Sequence, residues 1–379
     1  MSTTATVTTI AEAEWGSSNK YGNIYGTTDI KSEDSIVGNF DSIPIINVGG
    51  IFSENIEDRK AVAAQLRDAC TRVGFFYIEN HGIPEELLDR VFQLGKEFFA
   101  LPFEEKMETY INNTSHYRGF TPLYSAGKAG PDGKGNANEA FDWGHDSKLT
   151  DDPNDQFVDP YMRGENPWPR HPEDFESTLS EYYRQLRAFT RVMARNVALS
   201  LGLKEDYFEP QLTHPGCTGL IAHYPPQPAK SNIFGIDGHT DAEFLTILAP
   251  GDVRALEVLN RDGYWISAPP QKGCYIVNVG DQLQACTNGL YVSTMHRVLN
   301  YSGQERYSVP FFLGLNYEEV VKPIPELVKN GDPVKFSPLT AGQMYKQTMV
   351  GFHALADRNP EFLKYKKAKV IGADSAKAT

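Results

Sequence analysis

Apolar residues recur at three- and four-residue steps through much of the first half of the chain and alternate in short runs through the second. Helices are therefore predicted first and strands afterwards. A short strand is expected at Ile43-Pro44-Ile45-Ile46. A helix follows from about Asp58 to Arg72, with Val62, Leu66, Ala69 and Val73 on one face. Gly74-Phe75-Phe76-Tyr77-Ile78 reads as a compact aromatic strand. Pro84 suits the first turn of a second helix, whose stripe is Leu87, Leu88, Val91, Phe92, Leu94 and Phe98, and Pro102 closes it. The longest helical signal runs from Glu173 to Leu201. There Phe175, Leu179, Tyr182, Leu186, Phe189, Met193 and Val197 form a stripe suited to backing a sheet. From Thr218 the texture changes to strands at 218–224, 243–249, 254–259, 264–267, 274–279 and 307–314, with Arg261-Asp262-Gly263 as a hairpin turn. Short strands at such close spacing favour a sandwich or barrel.

Between these elements lie stretches without periodicity. Residues 1–40 are polar and are expected to form an extension that docks loosely at most. Ser125 to Asn136 reads as a surface loop. Its Gly133-Lys134 is followed by Gly135 rather than by Ser or Thr and is preceded by no strand, which excludes a phosphate-binding loop. Residues 146–172, rich in Asp and Pro, are expected to be irregular. No domain-sized linker appears. The expectation is one domain over 41–379, mainly β with helices (α+β). It divides into a helix and strand region at 41–125, loops at 126–172, the long helix at 173–202, a strand-rich core at 203–355 and a tail at 356–379.

Composition narrows the possibilities. Hydrophobic residues at 40% and aromatics at 12% suit a globular protein. Forty-nine acidic against 36 basic side chains give a formal charge of −13, spread along the chain, which argues against nucleic-acid or anionic-membrane partners. Cys70, Cys217, Cys274 and Cys286 form no close pair, so a disulfide framework is not expected and a reducing compartment is. No secretory or transit pattern is visible near Met1, and no apolar run reaches membrane-spanning length. The expectation is a cytoplasmic protein with a small-molecule partner and an oligomeric state left open.

The candidate chemistry lies late in the chain. On a strand His239 and Asp241 would point to one side while Thr240 faces away, and His296 would arrive from another strand. Two imidazoles and one carboxylate are the ligand set of a non-haem iron(II) site with open positions. An ordinary surface salt bridge and a hydrolytic zinc site are the competing readings of the same tripeptide, although zinc more often takes three His or His with Cys. Arg306 and Ser308 share parity on an apolar strand that continues Val309-Pro310-Phe311-Phe312-Leu313. A buried guanidinium there needs an anion, and a bidentate carboxylate suits it. That carboxylate belongs either to a dicarboxylic co-substrate or to the protein itself.

At this point the chain resembles the iron(II)- and 2-oxoglutarate-dependent dioxygenases of the isopenicillin N synthase-like group, over roughly residues 43 to 355. The resemblance is carried by Ile43-Pro44-Ile45-Ile46, Gly74-Phe75-Phe76, Asn80-His81-Gly82-Ile83-Pro84, Phe98-Phe99-Ala100-Leu101-Pro102, Glu105-Lys106 and Tyr224-Pro225-Pro226. It continues through His239-Thr240-Asp241, Trp265, Asn278-Val279-Gly280-Asp281, Thr287-Asn288-Gly289, His296-Arg297-Val298 and Arg306-Tyr307-Ser308-Val309-Pro310-Phe311-Phe312. It implies a distorted double-stranded β-helix, or jelly roll, wrapped by the N-terminal helices and the long backing helix. It also implies iron(II) held by His239, Asp241 and His296, 2-oxoglutarate held by Arg306 and Ser308 with Tyr224 beside it, and O2 as oxidant. The implied outcome is hydroxylation, desaturation or oxidative cyclisation of a small metabolite, in specialised metabolism, with succinate and CO2 released. Retention of Asp241 argues against halogenation.

Two departures stand out. Ala222 occupies a place where the family often has Asn, and Ala242-Glu243 follows the triad Asp where an aromatic and a small residue are common. By position, Arg118, Phe120, Tyr124, Phe141, Trp143, Phe312 and Phe352 are candidates for lining a substrate pocket. Core packing competes for each aromatic, and a structural role competes for Arg118. An iron oxidase that uses no 2-oxoglutarate, resembling isopenicillin N synthase or aminocyclopropane-carboxylate oxidase, is the second reading. A non-catalytic jelly-roll binding protein is the third.

Overall fold

The computed structural model describes residues 8–9, 39–128, 133–146, 164–228, 233–300, 302–328 and 333–355. Most of the expected extension at 1–40, the tail at 356–379 and parts of the loop region at 126–172 lie outside the described residues. In chain order, β1 (Thr8–Thr9) is followed by β2 (Ile45–Asn47), α1 (Ile56–Arg72), β3 (Phe75–Glu79), α2 (Glu85–Phe99), α3 (Phe103–Met107), β4 (Gly119–Thr121), β5 (Glu139–Gly144) and α4 (Phe175–Ser200). Then come β6 (Cys217–Tyr224), β7 (Ile236–His239), β8 (Leu245–Ala249), β9 (Leu256–Leu259), β10 (Tyr264–Ser267), β11 (Tyr275–Val279) and α5 (Asp281–Cys286). The series ends with β12 (His296–Val298), β13 (Arg306–Leu313), β14 (Val320–Val321), β15 (Leu339–Thr340) and α6 (Ala341–His353).

Eight strands form one sheet in the order β2-β3-β11-β8-β13-β6-β5-β4, and five form a second in the order β1-β10-β9-β12-β7. Side-chain alternation divides the interior into two cores. Phe76, Ile78, Ile221, Ile247, Val277, Val309 and Phe311 face the helices and pack with Leu66 of α1, Leu94 and Phe98 of α2, and Leu186 and Met193 of α4. Their neighbours Phe75, Tyr77, Ala222, Tyr224, Leu248 and Ile276 turn the other way and pack with Val258, Ile266 and Val298 of the smaller sheet. This is a helix-wrapped jelly roll, and the inner face of its larger sheet lies between the two sheets.

Helix ends follow local chemistry. The Asn55 side chain accepts the Glu57 N–H at the start of α1, whose first turn carries Glu57 and Asp58 and whose last carries Arg72, the signs a helix dipole favours. Pro84 sits at the N-cap of α2. The second helix ends at Phe99, before Pro102; that proline instead caps the short α3. Several elements escape the periodicity argument, β4, β5 and α6 among them. β4 and β5 are buried on both faces and so show no alternation. α6 begins with a capping box in which Thr340 and Gln343 exchange side-chain to backbone hydrogen bonds.

The helix-side core has a test. Phe98 is fully buried, with ring centroids of Phe99, Phe120, Phe141 and Phe175 at 5.1, 5.9, 5.2 and 5.1 Å. Phe98→Ala removes the ring these four share. Equilibrium denaturant unfolding should show a loss of about 3–5 kcal/mol.

Candidate functional site

His239 ends β7, and His296 opens β12 directly opposite it in the antiparallel register. Their ring centroids are 4.2 Å apart. The Nδ1 of His239 lies 2.8 Å from the backbone oxygen of Asp237, and that of His296 lies 3.1 Å from the backbone oxygen of Thr294. A carbonyl accepts but cannot donate, so both Nδ1 atoms carry the proton and both Nε2 lone pairs are free. Each Nε2 lies 3.6 Å from Asp241 Oδ1. Two donors about 2.1 Å from a shared ion stand at most about 4.2 Å apart, so each of these spacings suits one metal ion.

Asp241 corrects one detail of the strand argument. It lies beyond the end of β7, in the connection to β8, so simple alternation does not aim it. Hydrogen bonds do. Its Oδ2 accepts from Thr246 Oγ1 at 2.5 Å and Asn278 Nδ2 at 2.8 Å, which leaves Oδ1 facing the imidazoles. Its backbone oxygen accepts the Asp281 N–H at 2.8 Å, and Thr240 Oγ1 donates to Asp281 Oδ2 at 3.2 Å. A Cβ on Gly280 would meet the Glu243 carbonyl at 2.0 Å, so only glycine lets α5 start this close to the turn.

Electrostatics agree with the geometry. Burial pushes the Asp241 carboxyl up, but the two imidazoles and the Thr246 and Asn278 hydrogen bonds outweigh it and hold it below the ordinary range. Burial, with His239 alongside, pushes His296 down to about 4 against the opposing pull of Asp241. The site thus offers a carboxylate and a neutral imidazole near neutral pH, the forms that bind metals.

Arg306 and Ser308 lie on β13 opposite Tyr224 and Ala222 of β6, on the inner face. The Arg306 guanidinium is 1% exposed and lies 4.6 Å from the centroid of the Tyr224 ring. Ser308 Oγ is 3.4 Å from its Nη1. Among the described residues no carboxylate pairs with Arg306, and its buried Nε has no hydrogen-bond partner. The reading in which a protein carboxylate neutralises Arg306 therefore fails here. A bound dicarboxylate fits the orphaned donors. Gly235 is needed nearby, since a Cβ there would come within 2.8 Å of the Tyr224 ring.

The pocket candidates separate. Phe312 faces inward, opposite Thr246 on β8, and so lies beside the Asp241 support. Tyr124 and Phe352 are partly buried on neighbouring segments, where the Gly127 N–H donates to the Phe352 carbonyl at 2.8 Å. Phe120, Phe141 and Trp143 face away from the space between the sheets. They are fully buried in the helix-side core, because Phe141 is registered with Ile221 and Phe120 with Phe141. Arg118 is also fully buried; its Nη1 donates to the His145 backbone oxygen and, at 3.3 Å, to Gly164 O and Asn166 Oδ1. Those bonds are the structural role. Of the two departures near the metal cluster, Ala242 is buried, and burial together with Asp241 pushes the Glu243 carboxyl up to about 8. Pattern alone does not single out Thr246, Asn278 or Asp281, although Asn278-Val279-Gly280-Asp281 is one of the family motifs.

Comparisons with known proteins identify the family. A family model described as "non-haem dioxygenase in morphine synthesis N-terminal" matches residues 43–171, and one described as "2OG-Fe(II) oxygenase superfamily" matches residues 216–315. A 2-oxoglutarate-Fe(II) type oxidoreductase of Emericella nidulans is 33% identical over 89% of this chain and 97% of its own length. A homoarginine-6-hydroxylase of Glycine max is 35% identical over 75% of this chain and 89% of its own. The crystal structure of JOX2 in complex with 2OG, Fe and JA superposes with a TM-score of 0.69 at 28% identity, covering 83% of this chain and 88% of that one. A putative 2OG-Fe(II) oxygenase family protein from Caulobacter crescentus superposes with the same TM-score of 0.69 at 27% identity, over 81% of this chain and 98% of that one. The chain belongs to the 2OG-Fe(II) oxygenase superfamily and is an iron(II)- and 2-oxoglutarate-dependent oxygenase.

Proposed function

We propose that His239, Asp241 and His296 hold the iron(II), that Arg306 and Ser308 bind the far carboxylate of 2-oxoglutarate, and that Tyr224 packs against that anchor. The observation that carries this reading is the buried Arg306, which has no protein carboxylate among the described residues and lies on the same inner face as the support of a two-His, one-carboxylate cluster. When bound, the iron and 2-oxoglutarate supply the oxidising chemistry: one oxygen atom of O2 goes to the substrate on hydroxylation and the other to succinate, with CO2 released.

The chain's own residues do the positioning. Thr246 and Asn278 keep Asp241 Oδ1 turned to the metal, and two backbone carbonyls keep both imidazoles in the metal-binding tautomer. Arg306 supplies a fixed fork of donors, with the Tyr224 ring against its guanidinium. The substrate is a free small molecule rather than nucleic acid, in keeping with the acidic charge of −13. Four cysteines without disulfides support a cytoplasmic setting, and a role in specialised metabolism completes the reading.

Anaerobic protein with iron(II) and 2-oxoglutarate should show a weak visible charge-transfer band. Arg306→Gln should abolish it at moderate co-substrate and raise the KM for 2-oxoglutarate by about 30-fold or more, since a buried ion pair loses one partner. An unchanged KM would remove Arg306 from the co-substrate site. Absence of the band from the wild-type protein would favour an oxidase without co-substrate or a non-catalytic binder.

Thr246→Val deletes one of the two hydrogen bonds on Asp241 Oδ2 while keeping the side chain's shape. Anaerobic iron(II) titration should show affinity lower by about 10- to 100-fold with the circular dichroism spectrum preserved. Equal affinity would mean that Asn278 alone orients the carboxylate.

A further inference from the structure

The inner face of the larger sheet carries one acid that neither the metal nor the co-substrate accounts for. On β5, Ala140 is registered with Ala222, and Asp142 with Leu220 of β6 and Gly119 of β4. Residues directly opposite share a face. Asp142 therefore faces the space between the sheets, in the row next to the one that holds Ser308, Ala222 and Ala140. It is 9% exposed, and its carboxylate makes no hydrogen bond or ion pair with any described residue.

Asp241, Arg306 and Arg118, the other interior charges on or beside this face, have partners. Asp241 faces the imidazoles, and Arg306 has the co-substrate carboxylate on the reading above. Arg118 lies on the same face of β5, since a Cβ on Gly144 would come within 2.8 Å of its Nε. Its Nη1, however, is held by the His145, Gly164 and Asn166 oxygens, and its charge is offset in part by Asp146. Glu243, also buried beside the proposed metal ligands, reaches the backbone amides of Ala242 and itself among the described residues. Asp142 and Glu243 both lie within electrostatic reach of the Tyr345 hydroxyl on α6. Asp281, the remaining nearby acid, accepts a hydrogen bond from Thr240 Oγ1 at 3.2 Å.

A buried carboxylate without a partner is costly, and it is stabilised by a cation brought to it. Burial pushes the Asp142 carboxyl well above the ordinary range, which agrees with an acid that lacks a protein counter-ion.

We infer that Asp142 receives a positively charged amine or guanidinium group of the substrate, so that this oxygenase acts on cationic small molecules. The inference rests on the oxygenase reading and adds the substrate class to it. Asp142 binds the charged end; Arg306 and Ser308 keep the co-substrate in the adjoining row, and the bond to be oxidised lies toward the metal ligands.

The test measures succinate formation by the full-length iron(II) enzyme with 2-oxoglutarate. The cationic probes are L-homoarginine, L-arginine, agmatine and cadaverine. Their counterparts of matched length, with an uncharged group at each position that carries the tested cation, are L-homocitrulline, L-citrulline, (4-hydroxybutyl)urea and 1,5-pentanediol. At least one cation should stimulate turnover well above its neutral partner, and the guanidinium and amine arms identify which group fits. Asp142→Asn should raise the KM for that cation by about 30-fold or more with a smaller effect on kcat, and Asp142→Glu should recover part of the loss. Retention of the charge-transfer band and of the melting temperature in Asp142→Asn shows that the fold and co-substrate site are assembled. The inference is overturned if the band is present but no cation stimulates above its neutral partner, or if Asp142→Asn leaves the cation's KM unchanged. Loss of the band in wild-type protein would instead overturn the oxygenase reading itself.

Discussion

The carboxylate of Asp241 is where the two sheets meet chemically. One oxygen is committed to Thr246 of β8 and Asn278 of β11, both in the larger sheet, and the other is turned toward His239 and His296 of the smaller sheet. A ligand fixed in this way gives up little rotamer freedom when it binds an ion. The turn that carries it is packed tightly enough that Gly280 tolerates no side chain. The imidazoles are set by backbone carbonyls two residues before each of them, so the same short segments that form the pairing of β7 and β12 also choose the tautomers.

Strand alternation extends this order along the larger sheet. Even-numbered β13 residues Arg306, Ser308 and Phe312 face the interior, while Val309, Phe311 and Leu313 pack on the helices. On the outer side a second polar network braces the same strands. His223 lies 2.8 Å from carboxylate oxygens of both Glu139 and Glu305 and stacks on Tyr307, while Lys106 pairs with Glu139 at 2.8 Å. Apart from Lys106, which joins through Glu139, each residue in that brace lies on or beside a strand that carries the proposed co-substrate anchor or is registered with one. The anchor is therefore held from behind as well as from within.

Much of this is legible in the amino-acid pattern, and the exceptions have physical reasons. The helices α1, α2 and α4 are visible because one face of each is buried and the other wet. The strands β6, β10 and β13 are visible as short apolar runs between turn signals. β4 and β5 escape notice because both of their faces are covered, so their sequence carries no period. That silence is what misplaces Phe120, Phe141 and Trp143: without the register, position in the chain does not show that Phe141 shares a face with Ile221 rather than with Ala222. His239 and His296 do come from different strands, as their separation in the chain suggests. Asp241 joins them for a reason that spacing does not contain, because hydrogen bonds from Thr246 and the distant Asn278 aim it.

β4 is the outer strand of the larger sheet, and β5 is its only strand neighbour there. Together they hold Asp142 but no proposed ligand of the iron or of 2-oxoglutarate. The proposed ligands of iron and 2-oxoglutarate lie within residues 224–308, whereas the proposed wall for the substrate's charge is a pair of edge strands far earlier in the chain. On the proposed assignments, the fold separates the reaction from the choice of molecule in a way that makes them independently exchangeable. A change in the β4–β5 edge can redirect the enzyme to new compounds while the oxidising centre stays as it is, and one scaffold can in this way diversify its chemistry by replacing a margin rather than a core.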